Sequence, residues 1–493
     1  MTLNKKDSSY NQIVKATSIY SGSQAINIAL GLIRTKVIAI LLGPAGVGLI
    51  GVYQSMIEMI RSLGTLGMEP GTIREIAKAA NEEDKHLLGK SIFVFDRWFV
   101  FAACIGMFIC ILFSYPLSYW IFDDKEHALP IALLSIAVFF AIITIGRSVI
   151  LQGMRKISYL AKATIGESML GLLIIIPIYY FFGIAGVIPA LIINSLIVYF
   201  CIHYYYKKLE VRSVSVPFSE VVNTGKRILK LGLFVLVAGV VNAASMFIVR
   251  TYLAHELDLS TVGLFQSAWT ITSVYVALIL GSTRTDYFSR LCSIIDNKAE
   301  TKKLVNEQSY IVLVIAAPVV IGLLLFSHLA LFLLYSSRFT GAGEILQWMV
   351  IGTYLKILAT PIATILLAKS KGRLYLFSEV LFFATYLLSC YLLFPQMGVA
   401  ATGFGYLIAY VVYLFAIFII CNNISGFAWS IDVLKMIAVN ALFITIALCI
   451  THIQSEYILI FGCVLFFLSL IYAFLKLKRV FSLNELKDWF RKK

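Results

Sequence analysis

The 493-residue sequence predicts an all-α polytopic membrane protein with about 14 transmembrane helices, arranged as two pseudo-symmetric six-helix lobes followed by two C-terminal helices. Three observations predict it. Apolar stretches of 19 to 26 residues recur from Ala16 to Leu475, and about 20 apolar residues at ~1.5 Å rise each cross the ~30 Å hydrocarbon core of a bilayer. The loops between them are alternately basic and almost uncharged, and short strings from the first half return about 215 residues later. At 60% hydrophobic and 14% charged residues, with a mean hydropathy of +0.90, a water-soluble core of this size would leave far too much apolar surface uncovered.

In chain order, the spans of the first lobe run over 16–41, 45–67, 91–114, 130–151, 160–181 and 184–205. Those of the second run over 229–253, 261–283, 309–333, 345–368, 374–394 and 398–420, and the last pair over 434–452 and 456–475. The first stretch is too long for a signal-peptide core, carries Arg34 and Lys36, and is expected to stay attached. Gly43, Pro44 and Gly46 predict a tight turn after it, or a helix-breaking hinge. An even number of spans puts both termini on one side. Placing that side in the cytoplasm assigns roughly 29 of the 41 Lys and Arg residues to inner loops and tails, and only Lys125 and Arg338 to outer loops. The domain reading is an N-terminal lobe over 1–206, a cytoplasmic linker over 207–228, a C-terminal lobe over 229–421, and a final pair of spans with a basic tail over 422–493. Lys207, Lys208, Lys226 and Arg227 suit the linker to an anionic leaflet surface. Ser482 and Glu485 make a capping box at the start of an amphipathic tail.

The same pattern excludes several functions. The net charge of +15 follows from orientation against anionic lipid and calls for no nucleic acid. Eight cysteines occur singly, seven of them in or at the edge of apolar spans, which predicts no disulfide framework. No CxxC and no clustered histidines occur, so neither a metal site nor a cofactor is expected. There is no P-loop or nucleophile elbow, and the longest outer loop, near Tyr115 to Pro130, is too short to carry enzyme chemistry.

The internal repeat is specific in its spacing. Leu32-Ile33-Arg34-Thr35 returns as Ile248-Val249-Arg250-Thr251 at an offset of 216, and Val47-Gly48-Leu49-Ile50 as Val262-Gly263-Leu264-Phe265 at 215. Gly183-Ile184-Ala185-Gly186 matches Gly398-Val399-Ala400-Ala401, and Lys156 matches Lys371, again at 215. Six spans followed by six in the same orientation imply two parallel lobes, the arrangement of a transporter that rocks around a central site.

At Leu42-Gly43-Pro44-Ala45-Gly46-Val47-Gly48-Leu49, after an Arg-bearing first span, the sequence resembles the Wzx-type O-antigen and enterobacterial-common-antigen translocases. These belong to the multidrug/oligosaccharidyl-lipid/polysaccharide exporter superfamily. The resemblance covers about residues 10–420 and implies a MATE-like fold in the bacterial inner membrane. It implies flipping of an undecaprenyl-pyrophosphate-linked glycan by alternating access, coupled to H+ or Na+, beside a polysaccharide polymerase and a chain-length regulator. The last two spans depart from that pattern and are similar to those of lipid II flippases. The competing readings are a lipid II flippase, a cation-coupled drug exporter and a membrane polysaccharide polymerase or ligase.

Charge inside the bilayer marks the candidate site, because each Arg, Lys or Asp near the centre costs about 2.5 to 3.5 kcal/mol on insertion scales. Lys356 lies midway along span ten, ~17 Å from either end at helical rise, too deep to snorkel easily. Arg34 lies in the outer third of span one, where substrate contact competes with snorkelling to the outer surface, and its planar fork suits a pyrophosphate. Its repeat mate Arg250 sits nearer the outer end of span seven, where snorkelling is favoured. Arg61 and Glu58, three apart in span two, read as an ion pair that an anionic head group opens, freeing Glu58 for the coupling ion. Glu167 has no deep partner on its own helix and is the second coupling carboxylate. Arg147 and Glu379 lie closer to the inner interface, where anchoring competes with a cavity role. The cations expected to bind substrate are therefore Arg34, Arg61, Lys356, Arg250 and Arg147, and their net positive balance favours an anionic head group over a cationic drug. Aromatic runs such as Tyr179-Tyr180-Phe181-Phe182 and Tyr204-Tyr205-Tyr206 read as interfacial belts.

Overall fold

The computed structural model describes residues 3–81, 85–209, 214, 216–452 and 458–480. With no water in a bilayer core to satisfy backbone groups, a spanning chain must satisfy them within each segment, and the described chain is built of helices. Large apolar side chains remain on the outside of these helices: Leu173 is 67% and Phe415 65% exposed, as lipid-facing surfaces require. The capping box at Ser482 and Glu485 lies outside the described residues.

The first lobe of the repeat contains α1 (Leu3–Gly64), α2 (Met68–Asn81), α3 (Lys85–Leu112), α4 (Ser114–Phe122), α5 (Ala128–Gly153), α6 (Ile157–Phe182) and α7 (Val187–Lys207). The second contains α8 (Phe218–Glu256), α9 (Leu259–Ile294), α10 (Lys298–Leu325), α11 (Ser327–Leu334), α12 (Gly343–Ala368), α13 (Gly372–Met397) and α14 (Ala400–Ser425). α15 (Ile431–His452) and α16 (Ile458–Val480) follow. Among the described residues, 11 helical stretches are long and apolar enough to cross a membrane, and two of them, Ile26–Gly64 and Ile157–Lys207, each cover two of the expected spans. Expected span eight falls on α9.

The repeat is visible in the backbone. α3 and α10 both have 28 residues, and α5, α6, α12 and α13 each have 26. α6 ends at Gly183 with φ 55° and ψ −132°, and α13 ends at Gly398 with φ 55° and ψ −134°, a left-handed conformation that favours glycine at both places. The expected turn at Gly43-Pro44 is a kink inside α1, with Gly43 at φ 64° and Pro44 opening the second segment.

Packing divides the chain differently from the repeat. One compact unit runs through Gly263 and takes in Leu334–Ser336, and the other takes the remainder. In the first unit α3 packs on α5, α1 on α6 and α5 on α7, and α8 packs on α1, α2, α3 and α4. The span assigned by sequence to the C-terminal lobe at residue 229 thus packs with the first unit. The repeat identifies copies, whereas packing records which surfaces cover one another: Phe247 of α8 lies fully buried with its ring 5.6 Å from Trp120 of α4. The linker is correspondingly less solvated than its charges predict. Val216 and Val221 are buried against Val94, Phe93 and Trp98, and the Trp98 indole N–H donates to the Val221 carbonyl at 2.8 Å.

In the second unit α14 packs on both α12 and α13, and α15 and α16 pack on α10. Asn440 of α15 is fully buried and donates to the Leu313 carbonyl of α10 at 3.3 Å. The two helices outside the repeat are therefore fastened to the third span of the second lobe.

Candidate functional site

In the first unit Arg34 of α1 lies against α6 where that helix is thinnest. A Cβ placed on Gly171 would stand 3.3 Å from the Arg34 Nη1 and 3.7 Å from the Asn194 Oδ1 of α7, so glycine makes the groove that receives the guanidinium. Glu167, one turn earlier on α6, and Tyr179, two turns later, act electrostatically on the same group. Next to Glu167 on α6, Ser168 donates to the Asn27 side chain of α1. Glu167 therefore does have a deep partner. It lies on another helix, where periodicity along α6 alone does not reveal it.

Arg61 donates to Glu58 as expected, and both side chains are partly exposed, at 31% and 50%. A third member, Glu69 at the start of α2, completes the group. Burial pushes its carboxyl above the usual carboxylate range, Arg61 draws it back, and Glu58 pushes it further up.

Arg147 packs on aromatic rings. Its guanidinium lies 4.5 Å from the Tyr199 ring and 5.4 Å from the Tyr206 ring of α7, and Tyr206 donates to Asp96 of α3. Its Nε and Nη1 are buried without a hydrogen-bond acceptor. Arg250 does not snorkel. It is 6% exposed and donates to the Met246 carbonyl at 3.2 Å, because α8 is covered on several sides within its unit.

In the second unit Lys356 of α12 is half-buried, with its ammonium 5.9 Å from the Tyr410 ring of α14. It acts electrostatically on Glu379 of α13, which accepts from the Tyr413 hydroxyl at 3.3 Å. Phe382, Tyr386, Tyr406 and Tyr410 wall the same α13–α14 interface with successive ring contacts. Glu379 thus lies under the influence of both Tyr413 and Lys356.

To the charges expected from sequence the structure adds Glu69, beside Arg61 and Glu58, and Asp96, on which Arg147 and Arg97 both act. Asp96 was readable as a charge inside span three; Glu69, Asn194 and Tyr179 had no such signal. The belts hold only in part: Tyr180, Phe181 and Phe182 are at least 67% exposed, while Tyr179 turns inward beside Arg34. Among the described residues no group of three or more His, Cys, Asp or Glu is placed to hold a metal ion.

The first unit also contains one reciprocal contact between repeat mates. A Cβ on Gly48 would stand 1.8 Å from the Leu259 carbonyl oxygen, and one on Gly263 would stand 2.0 Å from the Pro44 carbonyl oxygen. Pro44 and Gly48 correspond to Leu259 and Gly263 in the repeat, so the two copies touch backbone to backbone at equivalent places.

Repeated lobes of spanning helices, with cation–carboxylate groupings held inside the helix bundles, have the architecture of a secondary transporter. The model of the family described as "Polysaccharide biosynthesis protein" matches residues 37–344, and the chain belongs to that family. It is 22% identical over 415 residues to the Lipid III flippase of Escherichia coli (strain K12), covering 81% of this chain and 96% of that protein, and equally to the Lipid III flippase of Shigella flexneri. Among solved structures, the Lipid II flippase MurJ in an inward closed conformation matches with a TM-score of 0.72 at 14% identity, over 93% of this chain and 98% of that one. An inward-facing multidrug resistance MATE family transporter of the MOP superfamily matches with a TM-score of 0.67 at 18% identity, over 81% and 94%. The fold is the MATE and MurJ fold.

Proposed function

We propose that the protein is a flippase that moves an undecaprenyl-pyrophosphate-linked oligosaccharide, the repeat unit of a surface polysaccharide, from the inner to the outer leaflet of a bacterial cytoplasmic membrane. Both termini face the cytoplasm in this reading. Family membership and the lipid-linked substrates named for its relatives support the substrate class. The observation that carries the mechanism is the presence in each unit of a half-buried cation beside a carboxylate on a neighbouring helix: Arg34 with Glu167, and Lys356 with Glu379.

A cation already balanced by a carboxylate is tolerable in a low-dielectric bundle, and a pyrophosphate is a stronger partner for it. When the head group takes Arg34 or Lys356, the displaced carboxylate is left uncompensated and must acquire a cation. Glu58 and Glu167 carry that coupling ion, a proton or Na+, and Glu379 stands in the same relation to Lys356. Arg61 and Arg147 receive the head group on the basic-loop side, where the Arg147 Nε and Nη1 lack acceptors. Arg250 completes the cationic set. The Gly48–Gly263 contact is the joint that parts as access alternates. A polysaccharide polymerase and a chain-length regulator act on the lipid once it is delivered.

In a strain lacking the gene, Arg34→Ala and Lys356→Ala should fail to restore surface glycan at normal membrane abundance, with Lys356→Arg milder. A lost direct phosphate contact in such a site costs on the order of 2 to 5 kcal/mol. Full complementation by both alanine variants would remove the anionic head group from the mechanism.

A further inference from the structure

The final two helices leave a cavity with charged side chains in its lining that the transport reading does not use. Where α10 and α15 begin and α16 ends, on the side of the basic loops, a recess of about 780 Å³ is lined by Lys302, Lys303, Glu307, Tyr310, Asp432 and Lys476, among others. Its floor is held in place. Asn306 of α10 accepts from the Ser430 backbone N–H at 2.7 Å and donates to the Ala428 carbonyl at 3.1 Å, tying the approach to α15 onto α10.

The charges in the recess are not used up internally. Lys303 pairs with Glu307 at 4.0 Å, but no ion pair is made by Lys302 or Lys476 among the described residues, and the Lys476 ammonium rests 5.3 Å from the Tyr472 ring. Two lysines from different helices thus line the recess together with Asp432, at the ends of their helices. Ammonium donors suit a phosphodiester, and a nearby carboxylate suits a hydroxyl. The buried Val433 and the Ile311 side chain provide an apolar wall below them.

From this cavity we infer that α10, α15 and α16 form a binding site for one anionic glycerophospholipid of the phosphatidylglycerol type. Lys302 and Lys476 contact its phosphate, and Asp432 accepts from its hydroxyls. Such a site stands apart from the substrate path of the proposed flippase and gives the two helices outside the repeat a purpose of their own.

The test is native mass spectrometry of the full-length, delipidated protein titrated with phosphatidylglycerol, phosphatidylethanolamine or inorganic phosphate. The wild type should retain one phosphatidylglycerol in preference to phosphatidylethanolamine. Lys302→Gln with Lys476→Gln should weaken that binding roughly tenfold or more, since each lysine near a membrane surface contributes measurably to anionic lipid attraction. Lys298→Gln with Lys435→Gln removes the same charge from exposed positions outside the recess and should leave retention unchanged. An unchanged lipid-free melting temperature establishes that both double variants are folded. Equal loss in both double variants, equal retention of phosphatidylethanolamine, or displacement of the lipid by inorganic phosphate at comparable concentration would each overturn the proposal.

Discussion

At the scale of single residues, a guanidinium in a transmembrane helix is expensive, and here it is made tolerable by what faces it. Arg34 rests in the groove left by Gly171, with Glu167 and Tyr179 acting on it. If Arg34 and Glu167 act as one unit, their removal is not additive. A double-mutant cycle with Arg34→Gln and Glu167→Gln, read by thermal unfolding in detergent, should give a coupling energy of about 1 to 3 kcal/mol; a value near zero separates the two residues. Gly171→Leu should reproduce the transport defect of Arg34→Ala without removing any charge, because the new side chain occupies the guanidinium's place. Glu69 supplies a pH prediction. Its folded carboxyl lies above the ordinary carboxylate value because of burial, so the folded state holds the proton where the unfolded chain has lost it. Its contribution is favourable at low pH and is lost as pH rises from the unfolded value through the folded one. Glu69→Gln should therefore flatten the melting temperature across that acidic window, and a variant that tracks the parent through it would show that burial does not hold the Glu69 proton.

At the scale of elements, the reciprocal approach of Gly48 to Leu259 and of Gly263 to Pro44 sets a distance that no larger side chain permits. Gly48→Leu and Gly263→Leu should each force α1 and the start of α9 apart and impair transport. Gly31→Leu, which meets nothing within 4 Å, should be tolerated. The elements themselves were legible in the sequence because length and hydropathy are local properties, and the 215-residue offset fixed their correspondence. What periodicity misses is contact between distant stretches. Asp96 meets Tyr206, and Glu167 acts electrostatically on Arg34, across more than a hundred residues of chain. Tyr179 and Tyr206 read as belt residues from their neighbours in sequence, yet their own faces of α6 and α7 turn toward charged groups. Glu69 likewise joins Arg61 and Glu58 only in the fold.

At the scale of the whole molecule, the alternation of basic and nearly uncharged loops predicts that positions 85, 298 and 371 are protected from a membrane-impermeant thiol reagent added to intact cells, and that positions 125, 255 and 338 are labelled. Labelling at 85 or 298 would reverse the orientation and with it the direction of transport. Depth of charge singles out Lys356 and Arg34 as candidates from sequence, family membership supplies the polysaccharide setting, and the proposed coupling rests on the carboxylates near those cations. These meet in one measurement. Purified protein reconstituted into vesicles with an undecaprenyl-pyrophosphate-linked oligosaccharide should transfer that lipid between leaflets, faster under an imposed proton or Na+ gradient. Glu58→Gln or Glu167→Gln should lose the acceleration while keeping slow, gradient-independent exchange. Transfer no faster than in protein-free vesicles would contradict flipping itself, and a gradient response intact in both variants would contradict coupling through these carboxylates.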